Sequence, residues 1–203
     1  MSDEGLAISY IEDFPPELIE MIESEIGSTG QSIALHRREN TPYASMEWAI
    51  PTALIIYITK PYFEAFLGEA GKDHYNALKK GVMRAFRHLF GEKPELRVEC
   101  RSLLFSIQAR TWNDKTIKCI FPEGVSALQY QVMIEQLHEL LVEDYSKKAN
   151  SGLSAMLDSV EPFGGQSYIE FSSDKIVGSQ STSKRKSWRK LPEINSGLVI
   201  YEA

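Results

Sequence analysis

Little in this chain is reactive. Its 203 residues hold two cysteines, Cys100 and Cys119, and four histidines, His36, His74, His88 and His138, that stand far apart. No CxxC, no HExxH and no His/Cys group with zinc spacing occurs, so no metal site can be read from spacing and no cofactor is expected. A GxSxG elbow is missing, and neither cysteine has a histidine beside it, so nucleophilic catalysis has no local signature. FGGQS (163–167) lacks the GxxxxGK[ST] spacing of a phosphate loop and precedes a strand. KDHY (72–75) and HELLVED (138–144) gather titratable groups, but a helix start and a solvated helix face account for them. Enzymatic function is therefore not the expectation. An enzyme would need residues that converge from distant segments.

A long hydrophobic run is also missing. The most apolar stretch, WAIPTALIIYITKPYFEAFL (48–67), contains Pro51, Lys60, Pro61 and Glu64. A helix crossing a bilayer needs about 20 mostly apolar residues, and each mid-span charge costs roughly 2.5–3.5 kcal/mol on insertion scales. This stretch is not a transmembrane helix. It reads as a core helix over 51–59 with a second turn from Pro61 to Gly68. Surface docking on a membrane through Trp48, Tyr57, Tyr62 and Phe66 is the alternative.

Positive charge is absent from the first 35 residues, which carry eight carboxylates: Asp3, Glu4, Glu12, Asp13, Glu17, Glu20, Glu23 and Glu25. Residues 36–120 then run to +5, residues 121–180 to −6 and residues 181–203 to +3, within a net charge of −6. Such blocks either complement each other inside one fold or face partners. The opening MSDEGLAISY is acidic and lacks an apolar core with basic flanks, so it does not read as a secretory leader. With two thiols that the expected hairpin register keeps apart, the composition suits a reducing, cytoplasmic setting.

Apolar periodicity supplies the elements. LAISYIED (6–13) alternates as a strand. Pro15 and Pro16 open a helix with a stripe of Leu18, Ile19, Ile22 and Ile26, and SIALHRREN (32–40) is a second strand, parallel to the first. Residues 71–91 form an amphipathic helix. ELRVEC–LLFSIQAR reads as a long strand with a bulge near Arg101 and Ser102, and TWND turns it into KTIKCIF. Ser126 and Gln129 form a capping box for a helix over 127–148. YIEF (168–171) and GLVIYE (197–202) are short strands around a polar, mobile loop. The class is α+β, a mixed sheet with packed helices. A β-α-β-β-α-β plait with a helical insertion at 42–91 is one economical arrangement. Residues 1–150 form the core domain, and 151–203 a C-terminal extension on it.

Charged surfaces are the candidates for function. Glu12, Asp13, Glu17, Glu20 and Glu23 make an acidic N-terminal surface able to steer a protein partner, so a non-enzymatic, inhibitor-like or immunity-type binding module is the leading expectation. Two basic features support nucleic-acid association instead: the helix stripe Lys72, Lys79, Lys80, Arg84 and Arg87, and KRKSWRK (184–190). In the second, Trp188 can stack on a base while Lys184, Arg185, Lys186, Arg189 and Lys190 meet phosphates.

Overall fold

A computed structural model describes residues 5–28, 30, 32–39, 52–66, 71–91, 93–94, 101–122, 124–158, 162, 165–174 and 185–190. In chain order they form β1 (Leu6–Ile11), α1 (Pro16–Gly27), β2 (Ile33–Arg38), β3 (Leu54–Ile58), α2 (Lys60–Phe66), α3 (Gly71–Phe90), β4 (Arg101–Arg110), β5 (Thr116–Pro122), α4 (Ala127–Lys147), α5 (Gly152–Asp158), β6 (Gln166–Asp174) and β7 (Arg185–Lys190). The class is α+β. One seven-stranded sheet runs β2-β1-β3-β4-β5-β6-β7. Parallel pairs β1/β2, β3/β4 and β5/β6 are each joined through helices, and antiparallel pairings link these units. This is not the plait order, in which a strand separates each parallel pair.

Strand alternation assigns one face of the sheet to the core. Ile8, Ile56, Ile107, Cys119 and Ile169 are cross-strand partners in one row, and all are buried. Their face packs in a single apolar cluster with Leu18, Ile22 and Ile26 of α1, Tyr62 and Phe63 of α2, Val82 and Phe86 of α3, Leu137 and Leu141 of α4, and Leu153 and Leu157 of α5. Tyr130 stacks on Phe86 with centroids 3.8 Å apart and on Phe121 at 4.9 Å, which fastens α3 and α4 to the sheet. Such ring pairs contribute about 0.5–1.5 kcal/mol each beyond their buried area.

The apolar stretch does thread the core, but as a different element. Residues 54–58 are strand, not helix, and only from Lys60 does the chain turn helical. LIIYI is rich in β-branched residues and lies between β1 and β4, with Leu54, Ile55 and Ile56 fully buried. A strand buried on both faces loses the alternation that marks a strand, so a short apolar run of this kind looks like a buried helix. The segment 42–91 is accordingly not a helical insertion: it contributes a central strand.

The polar segment after β6 is the second correction. Residues 185–190 form β7, antiparallel to β6, with Trp188 opposite Phe171 and Arg185 opposite Asp174. Pairing with β6 satisfies the backbone of a segment too polar to announce itself as a strand. GLVIYE and ELRVEC lie outside the described residues. Other expectations hold in detail. Cys119 faces Ile107, the register of β4/β5 shifts between Arg101 and Ser106, and Ser126 and Gln129 close their capping box. Gln129 N donates to Ser126 Oγ at 3.3 Å, and Ser126 N donates to Gln129 Oε1 at 3.0 Å.

Candidate functional site

On the outward side of the helical layer, α3 packs beside both α1 and α4. Gly81 makes the approach to α1 close. A Cβ placed there would lie 2.7 Å from Ile26 Cγ1, so no larger residue fits without a shift of the Ile26 side chain. The floor of the resulting cleft is one face of α3, residues Asn76, Lys79, Lys80, Met83, Arg84 and Arg87 at spacings of three and four. Glu25 of α1 and Gln131 of α4 form its walls, and the volume is about 510 Å³.

Four of the five predicted helix cations therefore line one cleft, in two kinds of environment. Arg84 pairs with Glu25 at 2.8 Å, and Lys79 pairs with Glu135. The Lys79 and Gln131 hydrogen bonds to Glu135 hold that carboxyl below its usual range. Lys80 and Arg87 are exposed, and no ion pair engages either among the described residues. Lys72 begins the helix; its side chain lies outside the described residues, as does all of Lys184. Arg185, Lys186, Trp188, Arg189 and Lys190 are on β7, which packs on α4 and α5, whereas α3 packs on α1, α2 and α4. The two basic elements thus have different neighbours in the fold, with α4 beside both.

The acidic candidates also divide. Glu12 is exposed and pairs with Arg37 of β2 at 2.7 Å. Asp13 is exposed beside it. Glu17 and Glu20 are exposed and Glu23 half-buried along one side of α1, opposite the buried Leu18, Ile19, Ile22 and Ile26. None of these three carboxylates makes an ion pair among the described residues. Charge segregation in the sequence is thus partly resolved inside the fold, through Glu12–Arg37, Glu25–Arg84 and Glu135–Lys79. Of the α1 acids and α3 cations predicted as sites, those left without an ion pair among the described residues are Glu17, Glu20 and Glu23 on α1 and Lys80 and Arg87 on α3.

Sequence reasoning missed three further clusters. Tyr75 of α3 and His138 of α4 stack at 3.9 Å, which joins two motifs 63 positions apart. Burial lowers the His138 pKa to about 4. Burial, with Glu135 and Glu139 nearby, pushes the Tyr75 phenol up to about 12. Tyr62 is raised further by burial and then by Tyr75, and its hydroxyl finds no hydrogen-bond partner among the described residues. The imidazole lies against the Tyr75 ring and Tyr62 adjoins Tyr75, a packed seam between α2, α3 and α4.

Asp144 of α4 is fully buried and accepts three hydrogen bonds: from Ser151 Oγ at 2.6 Å, Ser154 Oγ at 3.1 Å and the Trp112 backbone amide at 3.0 Å. Trp112 Nε1 donates to Ser154 Oγ at 2.9 Å, so the same cluster ties the β4–β5 turn to α5. It contains no histidine and has the partners of a structural clasp. The third cluster is on the sheet face away from the helices, where Lys118 is buried in register between Gln108 and Tyr168. There Gln108 Nε2 donates to Gln166 Oε1 at 3.1 Å, and Gln166 Nε2 to the Tyr168 hydroxyl at 2.7 Å. Only the alternation of KTIKCIF, with Lys118 facing away from Ile117 and Cys119, gave any sign of this row.

Among the described residues, no three His, Cys, Asp or Glu side chains converge on a point where a metal ion could sit, and no helix is long and apolar enough to cross a membrane. Two of the aromatics weighed for membrane docking fall within the described side chains: Tyr62 is buried in the core and Tyr57 is half-buried on β3. No protein-family model, curated protein or solved structure matches this chain significantly.

Proposed function

We propose that this chain is a non-enzymatic binding module that recognises a protein partner through charge, as inhibitor-like and immunity-type proteins do. The observation that carries the reading is the stripe of Glu17, Glu20 and Glu23 on α1, three carboxylates without ion pairs among the described residues, on a helix whose other side is anchored in the core. Acids at spacings of three residues fall on neighbouring turns, so they present one field to an approaching basic surface. Glu12 is drawn into its pair with Arg37 and contributes less. A cytoplasmic setting belongs to the same proposal, because Cys119 is a free thiol buried in the core.

The test compares the wild-type chain with E17Q/E20Q/E23Q as baits in lysate of the native host. A stoichiometric protein held by the wild type, released by moderate salt and lost at least tenfold from the triple variant supports the reading. Equal retention by both baits, with equal salt dependence, overturns it. Glu17 and Glu20 are exposed and Glu23 is half-buried outside the apolar stripe, so circular dichroism of the variant should match the wild type.

A further inference from the structure

We infer that the cleft between α1, α3 and α4 binds a phosphate group through Lys80 and Arg87, with Asn76 and Gln131 as neutral donors. The cleft is concave, and its floor is cationic. Two of its four cations are committed to Glu25 and Glu135, which leaves a surplus of two positive charges on one helix face. Lys80, Arg84 and Arg87 follow one another at spacings of four and three residues, a row about 10 Å long by helical rise. Arginine offers a planar fork of donors that matches phosphate oxygens, and lysine adds a compact charge. Among the described residues no aromatic side chain lines the cleft, so the lining offers charge and amide hydrogens in place of a platform for stacking a base. The occupant is therefore recognised by phosphate, either on a small phosphate ester or along a polynucleotide backbone read without regard to sequence.

Glu25 bears on this directly. It is the carboxylate in the cleft wall, and it competes with any anion for Arg84. Replacing it by glutamine releases Arg84 and adds a third available cation. The α1 acids Glu17, Glu20 and Glu23 do not line the cleft, so this inference and the protein-partner reading stand or fall separately.

The experiment titrates the full chain with pyrophosphate and, in a second arm, with a fluorescent oligothymidylate, each at 50 and 200 mM salt. Expected for the wild type is saturable binding at 50 mM salt with amide shifts at residues 76–87. K80Q/R87Q should lose at least tenfold in affinity, E25Q should gain severalfold, and K93Q, an exposed lysine outside the cleft, should not change. Two neutralised phosphates imply a single-strand salt slope of about −1.4, hence roughly a sevenfold loss over that range in the oligonucleotide arm. Pyrophosphate binding alone assigns a small ester, and tighter oligonucleotide binding assigns a backbone. Absence of binding in both arms, or binding that K80Q/R87Q leaves unchanged, overturns the inference.

Discussion

Asp144→Ala is the substitution whose cost can be worked most directly from the structure. The carboxylate is wholly buried and receives three donors, two from serine hydroxyls of the α5 region and one from the Trp112 amide. A hydrogen bond to a charged group contributes about 1.5–3 kcal/mol, and an amide left without an acceptor costs about 1–3 kcal/mol. The serine hydroxyls can rotate toward other acceptors, so we expect a loss of about 4 kcal/mol, well below the simple sum of those terms. At about 2–4 °C per kcal/mol for a chain of this size, Tm should fall by about 8–16 °C. Asp144→Asn keeps one acceptor oxygen and should lose roughly half as much. Asp158→Asn is the control: its pair with Lys115 is on the surface, where such pairs contribute about 0–1 kcal/mol. Urea unfolding followed by far-ultraviolet circular dichroism measures all three. An Asp144→Ala variant within about 1 kcal/mol of wild type would refute the clasp.

The remaining expectations concern packing and titration. Gly81→Ala should destabilise the fold by about 1 kcal/mol, overpacking against Ile26 outweighing the gain in helix propensity, whereas Gly27→Ala, with nothing within 4 Å of its new methyl, should be neutral or slightly stabilising in the same urea assay. The imidazole signal of His138 in a proton NMR titration should have its midpoint near pH 4 instead of the usual 6.5. Because the unfolded chain then binds the extra proton first, stability should fall as pH drops from about 6.5 toward 4, and His138→Gln should flatten that part of the profile; a midpoint near 6.5 would contradict the buried seam. In a Cys100→Ser background, Cys119 should resist a thiol reagent until denaturant unfolds the chain, since burial raises its pKa well above the ordinary value; rapid reaction in buffer would place it at the surface.

Much of the fold was legible where one face of an element is wet. The α1 stripe, the α3 and α4 periodicities, the Ser126–Gln129 box and the β4–β5 hairpin all carry local signals that tertiary contacts reinforce. β3 was misread because burial on both faces erased its alternation, and β7 because its pairing comes from β6 and not from its own composition. For the site, the sequence named the cations of α3 but not their walls. Glu25 enters the cleft only because Gly81 lets α1 come close. The Tyr75–His138 stack and the Asp144 clasp join residues from different elements, which no spacing along one segment displays.

The strand order has a bearing on how the molecule is built. Among the described residues, from β3 onward every neighbour in the sheet is also the next strand in the chain, so the sheet can extend in the order in which synthesis delivers it. The β4–β5 hairpin closes over a short turn at little loop-closure cost, whereas the parallel pairs β3/β4 and β5/β6 join residues about 50 positions apart and form only once their crossover helices are made. Until its successor arrives, each of these strands is an open edge on which another chain could pair. Among the described residues the edges of the sheet are β7, whose six residues include Arg185, Lys186, Arg189 and Lys190, and β2, which carries Arg37 and Arg38. Charged residues along a sheet edge disfavour pairing with another chain, so the basic segment 185–190, which first suggested a ligand, also protects the edge that it forms among the described residues.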